Sequence, residues 1–143
     1  MVTKGLVLEK PEINVISLAR TPERLKSFRK NNSWLQDFEI FPAVDGSQRT
    51  TTEMLDRGLI TKNLNYRTGA LGNALSHQGL WEKAIRINRP LTIFEDDAIL
   101  HSNFIEKSNK LISELGDDWD LIVWGWILTQ FFKLKCQEDL VIA

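Results

Sequence analysis

The chain has 143 residues, 43% of them hydrophobic and 26% charged, and 18 Lys plus Arg against 19 Asp plus Glu leave a formal net charge of -1. That is one domain's worth of chain or less, in the composition of a soluble globular protein; the balanced charge, without a basic run, argues against nucleic acid as a partner. No apolar stretch reaches the roughly 18 residues of a membrane span, and a single cysteine, Cys136, excludes an internal disulfide framework and a cysteine metal cluster.

Residues 1–10 carry acid and lack an apolar core, so no secretory peptide is expected and a cytoplasmic location is the default. Residues 13–18 (INVISL) are β-branched and apolar and predict a buried strand. Thr21-Pro22 then reads as an N-cap followed by proline in the first turn, opening a helix over about residues 22–30. A second short strand is expected within residues 38–44, stopped by the turn dipeptide Asp45-Gly46. Residues 50–57 predict a short helix closed by Gly58, and residues 59–68, which show no period, a loop. The longest helical segment is 69–88, where Ala70, Ala74, Trp81 and Ala84 share a stripe. A third strand is expected over residues 91–94, announced by Pro90, then a helix over 103–115 and a fourth strand over 120–126 (DLIVWGW).

There is no repeat and no low-complexity linker. Strands alternating with helices favour an α/β fold, a mainly parallel sheet with helices on both faces. Four such strands resemble the first half of a nucleotide-binding sheet, so the fold is expected to be incomplete at its C-terminus. Residues 1–126 form the main part and residues 127–143 an atypical apolar tail. Trp124, Trp126, Phe131 and Phe132 lack an obvious cover, which implies either a partner surface there, such as that of a homo-oligomer, or an aggregation liability.

The third strand runs straight into Glu95-Asp96-Asp97. Three adjacent carboxylates raise one another's pKa and oppose folding unless something positive sits among them. A hard divalent cation with oxygen ligands, magnesium or manganese, relieves that repulsion. Strand ends are also where open α/β sheets place their ligands, which points to a metal-assisted site for a phosphate-bearing substrate. Alternation along the strand predicts Glu95 and Asp97 on one side and Asp96 on the other. An Asp-Asp pair in this position can equally cap a helix or sit solvated in a loop.

Four blocks, in order, resemble glycosyltransferase family 25, the bacterial lipooligosaccharide galactosyltransferases whose relatives include the collagen galactosyltransferases. Ile16 to Arg24 (ISLARTPER) is similar to the family's opening I-N-L-x-R-x-x-x-R block, and Phe41-Pro42-Ala43-Val44-Asp45-Gly46 to its A-V-D-G block. Gly69 to His77 (GALGNALSH) is similar to G-x-x-G-C-x-x-S-H, and Phe94-Glu95-Asp96-Asp97-Ala98 to E-D-D, the family's version of the Asp-x-Asp metal signature. The match covers residues 13–126; Ser17 stands where the family often has Asn, and Asn73-Ala74 where it often has Gly/Cys-Ala. Family members are longer, and the tail from residue 127 does not look like their continuation.

The resemblance implies a GT-A-like, Rossmann-like fold. It also implies transfer of a hexose, galactose foremost, from a uridine diphosphate sugar to a saccharide acceptor on the lipid A core, with inversion and with manganese or magnesium. A cytoplasmic enzyme at the inner face of the inner membrane, peripherally associated with it, follows. Asp97 is then the direct metal ligand, Glu95 contacts ribose or metal-bound water, and Asp96 orients its neighbours. Arg20 forks onto a phosphate or stacks on the base, with Arg24 one turn later on the same side; both are otherwise solvated arginines at a helix start. Asp45 accepts from ribose or uracil, or is simply half of a turn. Ser76 and His77 border the donor pocket and position the donor, although a histidine on an apolar stripe is more often a satisfied core residue. Gly69 and Gly72 allow close backbone approach to the donor or tight helix packing. The catalytic base is unidentified and is expected beyond this chain. A non-catalytic remnant or binding module is the alternative, and a metal-dependent phosphohydrolase a weaker third.

Overall fold

Three short β-branched, apolar runs pair in parallel, and the order of pairing determines where a ligand can sit. The computed structural model describes residues 11–63, 67–115 and 119–124. In chain order the elements are β1 (Glu12–Ser17), α1 (Pro22–Asn31), β2 (Glu39–Pro42), a 3₁₀ turn (Gly46–Gln48), α2 (Thr51–Asp56), α3 (Thr68–Ile87), β3 (Leu91–Glu95) and α4 (Phe104–Leu115). β1 is buried from Ile13 to Ser17 and takes the centre of the sheet, in the order β2-β1-β3. Its run of apolar residues is what a parallel strand covered on both faces requires. Register pairs Ile16 with Phe41 on one side and with Glu95 on the other.

Alternation along β1 divides the helices between the faces. Ile13 and Val15 point to one face and pack with Phe94, with Phe28 and Leu25 of α1, and with Phe104 and Ile105 of α4. Glu12 and Asn14 point to the other. There Lys83 of α3 donates to Asn14 Oδ1 at 2.9 Å and pairs with Glu12 at 2.7 Å and Glu39 at 2.8 Å. A smaller core of Met54, Ile60 and Leu71 joins α2 to α3. The result is the expected α/β, Rossmann-like architecture: an open parallel sheet with helices on both faces.

Element ends follow local chemistry. The hydroxyl of Thr50 accepts from Glu53 N–H at 3.1 Å and caps α2, while Gly58 at φ 67° closes the turn after it. Asn88, left-handed at φ 51°, ends α3. Thr21 precedes α1 as expected, but its hydroxyl turns back to Leu18 O at 3.2 Å and leaves the helix uncapped.

The fourth strand does not form among the described residues, since 119–124 carry no regular secondary structure. β-forming residues become a strand only against an edge that accepts their ladder. Here Trp124 instead packs edge-on against Phe104 at 5.5 Å. Trp126, Phe131, Phe132 and the expected apolar tail lie outside the described residues. Among the described residues, no helix is long and apolar enough to cross a membrane.

Candidate functional site

The chain leaves the carboxyl end of β1 through α1 on one face and the carboxyl end of β2 towards α3 on the other, so the connections diverge at the carboxyl ends of β1 and β2. That divergence opens a crevice in doubly wound sheets. A cleft of about 500 Å³ lies there, and Arg20, Arg24, Asp45, Gly69, Gly72, Ser76, Glu95, Asp96 and Asp97 all contribute to its walls. A second hollow of about 350 Å³ adjoins it beyond Arg20 and Asp45, reaching Gln48 and Arg49. The four sequence blocks therefore converge on one place, while His77 stands behind Glu95.

The three acids have three different environments. Glu95, the last residue of β3, faces α3. Its Oε1 accepts from Asn73 Nδ2 at 3.0 Å and lies 3.4 Å from His77 Nε2. Asn73 and His77, four apart on α3, present one face. The His77 contact, then the Asn73 hydrogen bond, hold the Glu95 carboxyl below the usual carboxylate range, against a partial burial that pushes it up. Behind them the His77 ring leans on Trp81 with centroids 6.2 Å apart.

Asp96 is only 5% exposed and faces α1, where its Oδ1 accepts from Arg24 Nε at 2.7 Å. Its Oδ2 is buried without a hydrogen-bond partner. Asp97 is open, with 64% of its side chain exposed, and its Oδ2 sits 3.0 Å from Arg24 Nη2. The hydrogen bond that Arg24 donates to Asp96, with the charges of Asp96 and Asp97, raises the Arg24 pKa further. Glu95 and Asp96 do take opposite sides. Asp97, expected beside Glu95, instead shares Arg24 with Asp96. The strand stops at Glu95 and the chain turns, Ala98 N–H donating to Glu95 O at 3.0 Å, so strand alternation no longer applies to Asp97.

Across the cleft, Asp45 bridges Arg20 (Oδ2 to Nε 3.0 Å) and accepts from both Ser47 N–H (3.0 Å) and Ser47 Oγ (2.6 Å). The Ser47 hydroxyl, then its backbone N–H, hold this carboxyl below its ordinary value, aided by Arg20. The loop carrying Asp45 is pressed onto the start of α3. A Cβ on Gly46 would collide with the Thr68 carbonyl and stand 2.6 Å from Gly72 N, and one on Gly72 would collide with Val44 O. Fully buried Ser76 seals the junction, accepting from Val44 N–H at 2.8 Å and donating to Gly72 O at 2.7 Å. Gly72 and Ser76 thus hold the Asp45 loop, whereas Gly69 meets open space.

Asn73 was not among the sequence candidates, although its place one helical turn before His77 could have signalled it. Among the described residues, no three or more His, Cys, Asp and Glu side chains gather as a ready chelate. The donors still suit a hard divalent cation. Asp97 offers exposed carboxylate oxygens, and the unpartnered Oδ2 of Asp96 is an unused acceptor beside them. Magnesium-like ions take one or two protein carboxylates and fill the remaining positions with substrate phosphate and water.

Known proteins share these residues' sequence context. A family model described as Glycosyltransferase family 25 (LPS biosynthesis protein) matches residues 10–138. A "Glycosyltransferase 25 family member" of Aedes aegypti is 32% identical over 137 residues, 89% of this chain and 22% of the relative. One of Anopheles gambiae is 30% identical over the same shares. A Bos taurus protein titled "Probable inactive glycosyltransferase 25 family member 3" is 31% identical over 128 residues, 80% of this chain and 21% of its own. The chain spans about a fifth of the length of these curated relatives. No solved structure matches it.

Proposed function

This chain belongs to glycosyltransferase family 25, and on that premise we propose that its cleft is the donor half of a sugar-transferring site. The donor is a uridine diphosphate hexose, galactose foremost. The acceptor is a saccharide hydroxyl of the lipid A core, a reading supported by the family description's mention of LPS biosynthesis. The observation that carries this reading is the meeting of two arginines and the acidic turn in one cleft at the carboxyl edge of the parallel sheet.

Transfer breaks the bond between the sugar and the diphosphate, and negative charge develops on the departing phosphate oxygens. Arg20 and Arg24 present guanidinium groups, 62% and 46% exposed, to that charge. Asp97 would hold manganese or magnesium, with Glu95 contacting ribose or water at that ion, and the ion would supply positive charge against the leaving diphosphate. Glu95, held ionised by His77 and Asn73, acts as an acceptor of hydrogen bonds and not as a proton donor. Asp45, oriented by Ser47 and Arg20, accepts from the ribose or the base. The group that deprotonates the acceptor is expected outside this chain.

A second reading is a binding module without turnover. It is favoured by the 31% identity to a relative named "Probable inactive glycosyltransferase 25 family member 3". Calorimetric titration with uridine diphosphate, with and without manganese, tests the first reading. Wild-type binding is expected to require manganese, and Asp97→Ala to weaken it about tenfold or more. Donor hydrolysis or transfer separates the enzyme from the module. No binding by the folded chain overturns the donor-site reading.

A further inference from the structure

Asn32, at the C-terminal end of α1, is one of the least exposed polar residues of the chain, at 1%. Nothing about the donor reading calls for it. Its side chain nevertheless reaches across to the segment that follows the acids. Nδ2 donates to Phe28 O at 2.9 Å within its own helix and to Ala98 O at 2.9 Å, and Oδ1 accepts from Leu100 N–H at 2.8 Å. Both amide hydrogens are thereby used, and the two cross-chain bonds bracket residues 98–100, immediately after Asp97.

The same helix holds the acids from its other end, where Arg24 takes Asp96 and Asp97. Eight residues of helix separate Arg24 from Asn32, about 12 Å of rise. α1 therefore grips the acidic turn at two well-separated points. The charged grip is half exposed and open to competition from a ligand. The amide grip is buried and neutral, and a ligand cannot compete for it. Among the described residues, the other backbone hydrogen bond at the start of this segment is the turn bond from Ala98 N–H to Glu95 O; Ala98 and Leu100 pack against the core, but packing alone does not fix the direction of the backbone.

We infer that Asn32 is a positioning residue for the donor site: it clamps the 98–100 segment to α1 and so fixes where the Asp97 carboxylate points. The inference rests on the donor-site reading above, because only a ligand at Asp97 makes that direction matter. It predicts a loss of ligand affinity larger than the loss of stability would produce.

Two measurements test it. The first needs no variant. Amide hydrogen exchange of the wild-type chain should find Leu100 N–H protected well beyond a turn residue, and free exchange there overturns the clamp. The second compares manganese-dependent uridine diphosphate binding in Asn32→Ala and in Ile60→Ala, a cavity variant in the separate Met54 cluster. Asn32→Ala is expected to raise the dissociation constant about tenfold or more, the usual cost of losing a group that orients a ligating side chain. Ile60→Ala, in a cluster that includes neither α1 nor residues 98–100, should bind within about twofold of wild type. Equal affinities for wild type and a folded Asn32→Ala overturn the positioning role alone. An equal loss in both variants assigns Asn32 a merely structural part and overturns it too. Absence of wild-type binding, with Leu100 still protected, overturns the donor-site reading, and the role at that site with it.

Discussion

Arg24 holds two adjacent carboxylates in one fork, and the two do not depend on it equally. Asp97 can turn to water, but Asp96 is buried and, among the described residues, its ion pair is with Arg24. Arg24→Gln is therefore expected to cost about 1–3 kcal/mol, less than a fully buried pair because Arg24 itself is 46% exposed. Adding Asp96→Asn should return most of that loss, and urea unfolding of the two single variants and the double variant measures the coupling. Additive losses would mean that the pair contributes nothing. Glu95 makes a separate prediction, in pH. Its folded pKa is lowered, so its contribution is complete above the unfolded value, near 4.3, and is lost as pH falls through the folded one. From pH about 5 downward the wild type should lose more stability than Glu95→Gln, seen as converging urea midpoints. Parallel midpoints would contradict the His77 and Asn73 contacts.

At the scale of elements, the start of α3 sets the position of the Asp45 loop, and its two glycines separate packing from propensity. Gly72→Ala should destabilise by about 1–3 kcal/mol, because the added methyl meets the backbone of residues 44–46, which cannot rotate away. Gly69→Ala, facing open space, should gain up to about 1 kcal/mol from helix propensity. Thermal unfolding of both variants decides it, and a neutral Gly72→Ala would mean that the loop and helix are not in contact. Most of these elements were legible in the sequence. β1, β2, β3 and α1 to α4 all fall within a residue or two of their hydrophobic periods and turn signals. Residues 120–124 misled because a β-forming run states a preference and not the availability of an edge. The convergence of Arg20, Asp45 and the acids was legible too, since parallel strands put their carboxyl ends together. How the acids divide was not. Whether Asp97 continues a strand or enters a turn depends on where β3 stops. The partners of Asp96 and of residues 98–100 lie on α1, far away in sequence, with no local pattern to mark them.

For the whole molecule, the decisive arrangement is that the two walls of the cleft are spatial neighbours without being chain neighbours. β1 meets β2 after one helix, but it meets β3 only after the chain has built α2 and α3. The closure is thermodynamically mild, since doubling a loop costs only about 0.6 kcal/mol, yet contacts this distant in sequence form slowly. α1 and α3 are local and can form early, whereas the pairing of Glu12 with Leu91 through Ile16 with Glu95 must wait for the full span to close. Until it closes, Arg24 and Asp96 are strangers, and the acids repel one another without a counter-charge. A refolding chain thus acquires most of its helix before it acquires any pocket. The order of assembly makes the cleft the last feature to appear and the first to go when β3 detaches.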